Sequence, residues 1–196
     1  MRMMSKILAI CMLIAILNAC GTDISPTVKP TSILTNSIKV TPQLSSSFVL
    51  QSSEVVEGGI LSKDYTCDGT SATLPLSWSG VPNGTQEFAV IMHHTPETGD
   101  SHWYWTLYNI PANVNSLERN VRGIGTLGNN SVNKKTEYSP PCSKGPGMKV
   151  YTYTIYALSD SPKLTVPPAQ VNRDTLLEAI KNNTLASATL NVSYSR

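Results

Sequence analysis

Apolar and polar positions alternate in short runs between residues 87 and 194, which is the pattern of half-buried β-strands. Residues 87–94 (EFAVIMHH) are apolar at both parities, as in a central strand covered on both faces. Residues 149–158 and 188–194 alternate and predict two further strands. Between them, residues 172–185 begin with a capping Asn and place leucines and isoleucine at helical spacing. The pattern predicts a β-rich domain with one short late helix.

The run HWYWTLYNI (residues 102–110) predicts another strand. Side chains alternate between the two faces of a strand, which places Trp103, Trp105 and Leu107 on one face and Tyr104 on the other, with His102, Thr106 and Tyr108. Two tryptophans on one face could form a stacking platform for sugars. Large apolar side chains next to a leucine are more typical of sheet core, and we favour that interpretation.

The first 20 residues have the organisation of a bacterial lipoprotein signal. A basic MRMMSK precedes an apolar stretch too short to span a bilayer stably, and Leu17-Asn18-Ala19-Cys20 resembles a lipobox, although Asn18 is unusual there. We predict a signal peptide at residues 1–19 and an acyl anchor, such as palmitate, on Cys20. The alternative is a buried N-terminal helix. Gly21 stands where an aspartate would favour inner-membrane retention, so the prediction is an envelope protein facing the periplasm or the exterior, on the outer membrane.

Composition separates a tether from a folded domain. Residues 20–46 are rich in Ser, Thr and Pro and predict an extended tether, whereas residues 47–196 contain the strand runs and are long enough for one domain with a core. The chain has 15 basic and 13 acidic residues, and the signal accounts for two bases and no acids. The mature protein therefore has no net charge, which argues against a nucleic-acid partner.

A long segment, residues 119–147, lacks a sustained period and contains several glycines and a double proline. Such a segment in a small domain is typical of a binding or lid element, and a plain surface excursion is the alternative. Its Cys142 and the earlier Cys67 are the two cysteines left in the predicted domain. In an oxidising compartment a disulfide between them is the simplest expectation. Otherwise Cys142 would be a free nucleophile, for which His94 is the candidate base.

Five blocks of sequence carry a resemblance to a known family: YTCDG, LPLSWSGVPNGTQEFAV, WYWTLYNIPA, PPCSKGPG and YTYTIYALSD. In order and spacing, residues 47–195 resemble the phosphatidylethanolamine-binding protein (PEBP) family, in its bacterial Raf-kinase-inhibitor-like branch. The resemblance implies a mainly β fold, an antiparallel β-sandwich with a short C-terminal helix and peripheral helical turns. It also implies a small anion pocket for phosphate-like head groups. Family members bind lipid head groups or modulate kinases and proteases, and most are not enzymes.

The departures from the family pattern fall at that pocket. Aligned on the family signature, the first pocket aspartate becomes His94, one pocket histidine becomes Tyr104, and a second becomes Lys149. The proline-rich loop survives in part around Pro140 and Pro141. With His102, which shares the predicted face of Tyr104, these are the candidate ligand-binding residues. Imidazole, phenol and ammonium groups donate to anions, so we expect a preference for a plain anion over a zwitterion.

Two alternatives stay open at this point. In the first, the pocket has lost its ligand and its polar groups hydrogen-bond to one another. In the second, the protein is a metal-binding protein or a hydrolase, with His94 or His102 joined by Glu97 or Asp100 from the connecting loop. Adjacent residues of a strand point to opposite faces, so His93 and His94 cannot readily share one ion. We expect no catalytic residues, no metal and no cofactor, and an anionic small molecule, a lipid head group or an extracytoplasmic protein as partner.

Overall fold

The computed structural model describes residues 47–196. The predicted signal peptide (residues 1–19) and the predicted tether with its lipidated Cys20 (residues 20–46) lie outside the described residues. Within the described part, the elements in chain order are β1 (Val49–Gln51), a 3-10 turn (Lys63–Tyr65), β2 (Leu76–Ser79), β3 (Glu87–His94), β4 (His102–Pro111), β5 (Ser116–Leu117), β6 (Thr126–Leu127), β7 (Lys149–Leu158), a 3-10 turn (Pro168–Gln170), α1 (Arg173–Ile180) and β8 (Thr184–Tyr194).

Two antiparallel sheets build the domain. A three-stranded sheet has the order β1-β2-β5, and a five-stranded sheet has the order β6-β4-β3-β7-β8. One buried cluster combines side chains of the small sheet, such as Trp78, with side chains of the large sheet, such as Phe88. Their rings meet edge to face at 5.2 Å between centroids. The sheets therefore pack face to face, and the predicted β-sandwich is confirmed.

The central strand β3 is covered on both faces, as its sequence predicts. Phe88, Val90 and Met92 belong to the core between the two sheets. Ala89 and Ile91 belong to a second cluster on the outer face, under α1. Because each face of β3 packs against its own apolar partner, the strand needs apolar residues at both odd and even positions.

Helix α1 begins after its predicted cap. The side chain of Asn172 accepts a hydrogen bond from the backbone N–H of Thr175 at 2.8 Å. Leu176 and Ile180 are buried against the outer face of the large sheet. The following strand β8 starts at Thr184, four residues before the predicted start at residue 188. Among residues 47–196, no helix has the length and apolar composition needed to span a bilayer.

Strand β4 contains two irregularities that change which side chains face the core. The register against β3 shifts between the Met92–Trp105 and His93–Trp103 pairs, so β4 carries one extra residue there. Trp105 lies in the inter-sheet core, whereas the Trp103 indole N–H donates to the Asn129 carbonyl outside it, at 3.0 Å. The prediction that both tryptophans share a face is wrong, because an inserted residue reverses the alternation.

That bulge also brings Tyr104 onto the same side as Trp105. Tyr104 belongs to the inter-sheet core and packs edge to face on Tyr151 of β7, at 5.4 Å between ring centroids. A second shift, farther along β4, coincides with the left-handed backbone of Asn109 (φ 56°). Successive residues of one strand thus point toward one core.

The long segment 119–147 is tied to the sandwich along its length. It contributes strand β6 to the large sheet, and the backbone N–H groups of Ser131 and Ser139 each donate to a carbonyl of β4 at 2.8 Å. A disulfide joins Cys142 to Cys67, 75 residues earlier. Closing a loop of that length stabilises a fold by about 4 kcal/mol in the chain-entropy model. These connections make the segment a fixed wall of the domain.

Candidate functional site

A pocket of about 340 Å³ opens where β3 ends and where β4 and β7 begin. His94 is the last residue of β3, His102 is the first of β4 and Lys149 is the first of β7. Since these strands are antiparallel neighbours, the sheet register brings the three side chains to one end. We call this site the histidine pocket; its lining residues are His94, Pro96, His102, Tyr104, Ser131, Val132, Pro140, Cys142, Lys144 and Lys149.

The ring of His94 is held by two contacts. Its Nδ1 lies 2.8 Å from the carbonyl oxygen of Val150, and its ring packs against Tyr151 at 5.6 Å between centroids. A carbonyl only accepts, so Nδ1 carries the proton and donates. In the neutral ring Nε2 is then an acceptor, whereas the imidazolium form donates from both nitrogens. A free N–H at Nε2 therefore exists only in the imidazolium form.

Tyr104 supplies a neutral donor at the inner side of the pocket. The residue is buried, and burial raises the pKa of its phenol. A phenol with a raised pKa keeps its proton at neutral pH and can donate it to a bound oxygen. The Tyr151 ring fixes the orientation of the Tyr104 ring, as described above.

Lysines provide the positive charge of the pocket. Lys149 is partly buried, and its ammonium group donates to the carbonyl of Lys144 at 2.7 Å, which orients the group. Lys144 is exposed at the same pocket. No carboxylate is among the lining residues. The two lysines are therefore the permanently charged side chains of the lining, and both are cationic.

The proline loop reaches the pocket with only one of its two prolines. Pro140 lines the pocket, whereas Pro141 is buried behind it and its carbonyl accepts a hydrogen bond from the Cys67 N–H at 3.0 Å. Cys142 also lines the pocket, in disulfide linkage to Cys67. That linkage leaves no thiol at Cys142, so the interpretation of this residue as a nucleophile is wrong for this structure.

The three histidines do not converge on one point. His93 is on the opposite face of β3 from His94, where burial and the nearby Arg173 of α1 lower the pKa of its imidazole. Glu97 and Asp100 are exposed in the loop between β3 and β4 and are not among the pocket lining. Within residues 47–196, no group of three or more His, Cys, Asp or Glu side chains is placed to hold a metal ion.

Sequence reasoning missed a buried amide that shapes one wall of the pocket. Asn130 is fully buried; its side-chain NH₂ donates to the carbonyls of Lys135 and Glu137, and its Oδ1 accepts from the backbone of Val132 and Asn133. These four bonds fix the turn that carries Val132 into the pocket. An asparagine followed by a polar run is the only signal in the sequence, and it is common to many loops.

Comparisons with known proteins place this geometry in a family. The family model described as phosphatidylethanolamine-binding protein matches residues 51–195. The chain belongs to the phosphatidylethanolamine-binding protein family. A protein named UPF0098 protein from Methanothermobacter thermautotrophicus is 33% identical over 144 residues, which cover 70% of this chain and 92% of the relative. The resemblance predicted from the five blocks is thereby confirmed.

Two solved structures of PEBP-family proteins have the same fold. CT736 from Chlamydia trachomatis, titled a PEBP homolog, superposes with a TM-score of 0.69 at 25% identity and covers 76% of this chain and 98% of its own. YbcL from Escherichia coli, titled a new member of the mammalian PEBP family, also has a TM-score of 0.69 at 25% identity, covering 77% and 99%. The match therefore accounts for nearly all of each solved chain.

Proposed function

We propose that the protein is an extracytoplasmic binding protein of the PEBP family whose histidine pocket takes a small anion, either a free phosphate or the phosphate of a lipid head group. The observation that carries this proposal is the charge of the pocket lining, which contains two histidines and two lysines and no carboxylate. Tyr104 adds a donor that needs no protonation. A carboxylate, which would balance the ammonium of a zwitterionic head group, is missing from the lining.

The N-terminal sequence supplies the cellular setting of the proposal. After removal of residues 1–19, lipid on Cys20 would hold the domain at the envelope by a tether of residues 20–46. The pocket would then act at the membrane surface, in the periplasm or on the exterior. Regulation of an extracytoplasmic protein partner through the same pocket is part of the proposal, in line with the description of the family as binding modules.

Titration calorimetry on residues 47–196 tests the anion preference. Phosphate and sulfate should bind in a saturable manner, because the lining offers the ammonium groups of Lys144 and Lys149 and the phenol of Tyr104 as donors. Phosphoethanolamine should bind several-fold more weakly than phosphate, because its ammonium meets only positive charge.

The matched variants are Lys149→Gln, inside the pocket, and Lys135→Gln, an exposed lysine outside its lining. Lys149→Gln should weaken phosphate binding several-fold, and Lys135→Gln should leave it unchanged. Equal affinity for phosphate and phosphoethanolamine, or no binding of either, would contradict the proposed ligand. Metal binding and hydrolysis gain no support from the arrangement of residues 47–196.

A further inference from the structure

A second cavity, of about 590 Å³, is lined by parts of β4 and of the long segment 119–147. Its volume is in the range of small-molecule sites. We call it the tryptophan cavity. Its lining residues are Ser71, Thr73, Trp105, Leu107, Asn120, Val121, Arg122, Gly123, Ile124, Gly125, Leu127, Glu137 and Tyr138, and none of them lines the histidine pocket.

The inner part of the tryptophan cavity is apolar and aromatic. Trp105 and Leu107 of β4 lie beneath its floor and are almost completely buried, and Tyr138 stands edge to face on Trp105 at 5.6 Å between centroids. Ile124 and Leu127 pack on the core while staying partly exposed at the cavity. A flat or branched apolar group of a ligand would contact the partly exposed side chains of Ile124, Leu127 and Tyr138.

The rim of the cavity carries one charge of each sign. Arg122 and Glu137 both line it and are both exposed. They do not pair with each other, and Arg122 forms no ion pair with any residue between 47 and 196. Glu137 accepts from the Asn133 amide through Oε1 at 2.8 Å, which orients its carboxylate. Opposite unpaired charges over an apolar floor match a ligand that is zwitterionic at one end and apolar at the other.

The backbone around the cavity is unusual at two non-glycine positions. Ser71 and Asn120 both have left-handed conformations, with φ of 58° each. The Asn120 side chain is held by the Thr73 backbone N–H, which donates to its Oδ1 at 3.2 Å. A left-handed backbone at a non-glycine residue is unfavourable and persists only where the surrounding structure holds it. Such residues are found often at ligand sites. Gly125 completes this wall, where a β-carbon would come within 2.7 Å of the Tyr108 carbonyl.

We propose that the tryptophan cavity binds a free amino acid with an aromatic or branched apolar side chain. The side chain would lie on Ile124, Leu127 and Tyr138. The carboxylate would meet Arg122 and the ammonium would meet Glu137. This site is separate from the histidine pocket, so the two proposals stand or fall independently.

Calorimetric titration of residues 47–196 with three probes tests the zwitterion requirement. L-phenylalanine should bind in a saturable manner. N-acetyl-L-phenylalanine, which lacks the ammonium, and L-phenylalaninamide, which lacks the carboxylate, should each bind about 3-fold to 10-fold more weakly. Equal binding of the three probes, or no saturable binding of L-phenylalanine, overturns the proposal.

Charge-removing variants then assign each end of the ligand. Arg122→Gln should weaken L-phenylalanine but leave L-phenylalaninamide unchanged, and Glu137→Gln should weaken L-phenylalanine but leave N-acetyl-L-phenylalanine unchanged. Glu118→Gln, an exposed acid outside the lining, and Lys149→Gln in the histidine pocket should change none of these affinities. Loss of L-phenylalanine binding in Lys149→Gln would place the amino acid in the histidine pocket and contradict the assignment.

Discussion

The histidine pocket and the tryptophan cavity are lined by successive residues of one strand, Tyr104 and Trp105, yet their chemistry differs. Three of the four basic side chains of the histidine pocket, His94, His102 and Lys149, come from the ends of strands. Both charges of the tryptophan cavity come from the long segment 119–147. Charges on strand ends are fixed by the sheet register, whereas those on a loop can change without disturbing a sheet. The sheet register therefore fixes the positions of most basic groups in the histidine pocket. The charged residues of the tryptophan cavity could be replaced without disturbing a sheet.

Replacing Asn130 should break both sites at once and have the largest effect. Asn130→Ala removes the four hydrogen bonds that hold residues 131–137. This turn includes Val132 of the histidine pocket and Glu137 of the tryptophan cavity. Unpaired buried backbone groups cost free energy, so we expect a loss of about 2–4 kcal/mol in the free energy of unfolding. Urea denaturation measures this loss.

The matched control for that variant is Asn113→Ala. Asn113 is exposed and forms no side-chain hydrogen bond within residues 47–196, so the free energy of unfolding should change by less than about 0.5 kcal/mol. Similar losses in the two variants would show that Asn130 does not organise the turn.

Replacing Tyr104 should break one site only. Tyr104→Phe removes the pocket hydroxyl and keeps the ring, so the affinity for phosphate should fall about 5-fold to 10-fold, the worth of one hydrogen bond. Affinity for L-phenylalanine should not change. Tyr108→Phe is the matched control, because Tyr108 is buried in the outer cluster of β4 and lines neither site. If calorimetry gave both variants the same affinity for phosphate as the unchanged protein, the Tyr104 hydroxyl would not be a donor to the ligand.

Removing Asp68 should have the smallest effect of these replacements, a small loss of stability that is present at neutral pH and disappears in acid. Hydrogen bonds from Arg196 and Tyr194 lower the pKa of Asp68 from 3.8 to about 2. A lowered folded-state pKa adds stability that is present above the unfolded value and is lost as the pH falls from about 4 to about 2. Asp68→Asn should therefore flatten the acid limb of the stability curve.

Urea unfolding between about pH 6 and about pH 2 measures that limb. Asp100→Asn, which removes an exposed carboxylate without a side-chain partner in the described residues, should leave the curve unchanged. An acid limb as steep in Asp68→Asn as in the unchanged protein would contradict the assigned pairing.

Much of the fold could be predicted because it depends on local pattern. The two-sided apolar run of β3 and the cap of α1 at Asn172 are visible in the sequence, and the family resemblance supplied the sandwich. The side of Trp103 could not be predicted, since one bulged residue reverses every side chain beyond it and leaves no mark on composition. The start of β8 was placed late because its first four residues mix polar and apolar types.

The sites divide in the same way. Five of the six candidate ligand-binding residues line the histidine pocket, and Pro141 lies behind it; whether they bind a ligand stays a prediction. The tryptophan cavity was missed because Thr73, Trp105 and Tyr138 are far apart in the chain and come together only through the fold. No spacing motif marks such a site.

The disulfide between Cys67 and Cys142 has a consequence for the lifetime of the protein. The disulfide closes a covalent ring that contains Tyr104 and Trp105 of β4, which line the two cavities. The ring also contains the peptide bond between the exposed residues Lys134 and Lys135. A protease that cut that bond would open the ring without separating it, and the two fragments would stay joined as one molecule. Cleavage at this exposed bond would thus leave a single molecule with a broken backbone, and the two fragments would separate only after a reductant had opened the disulfide.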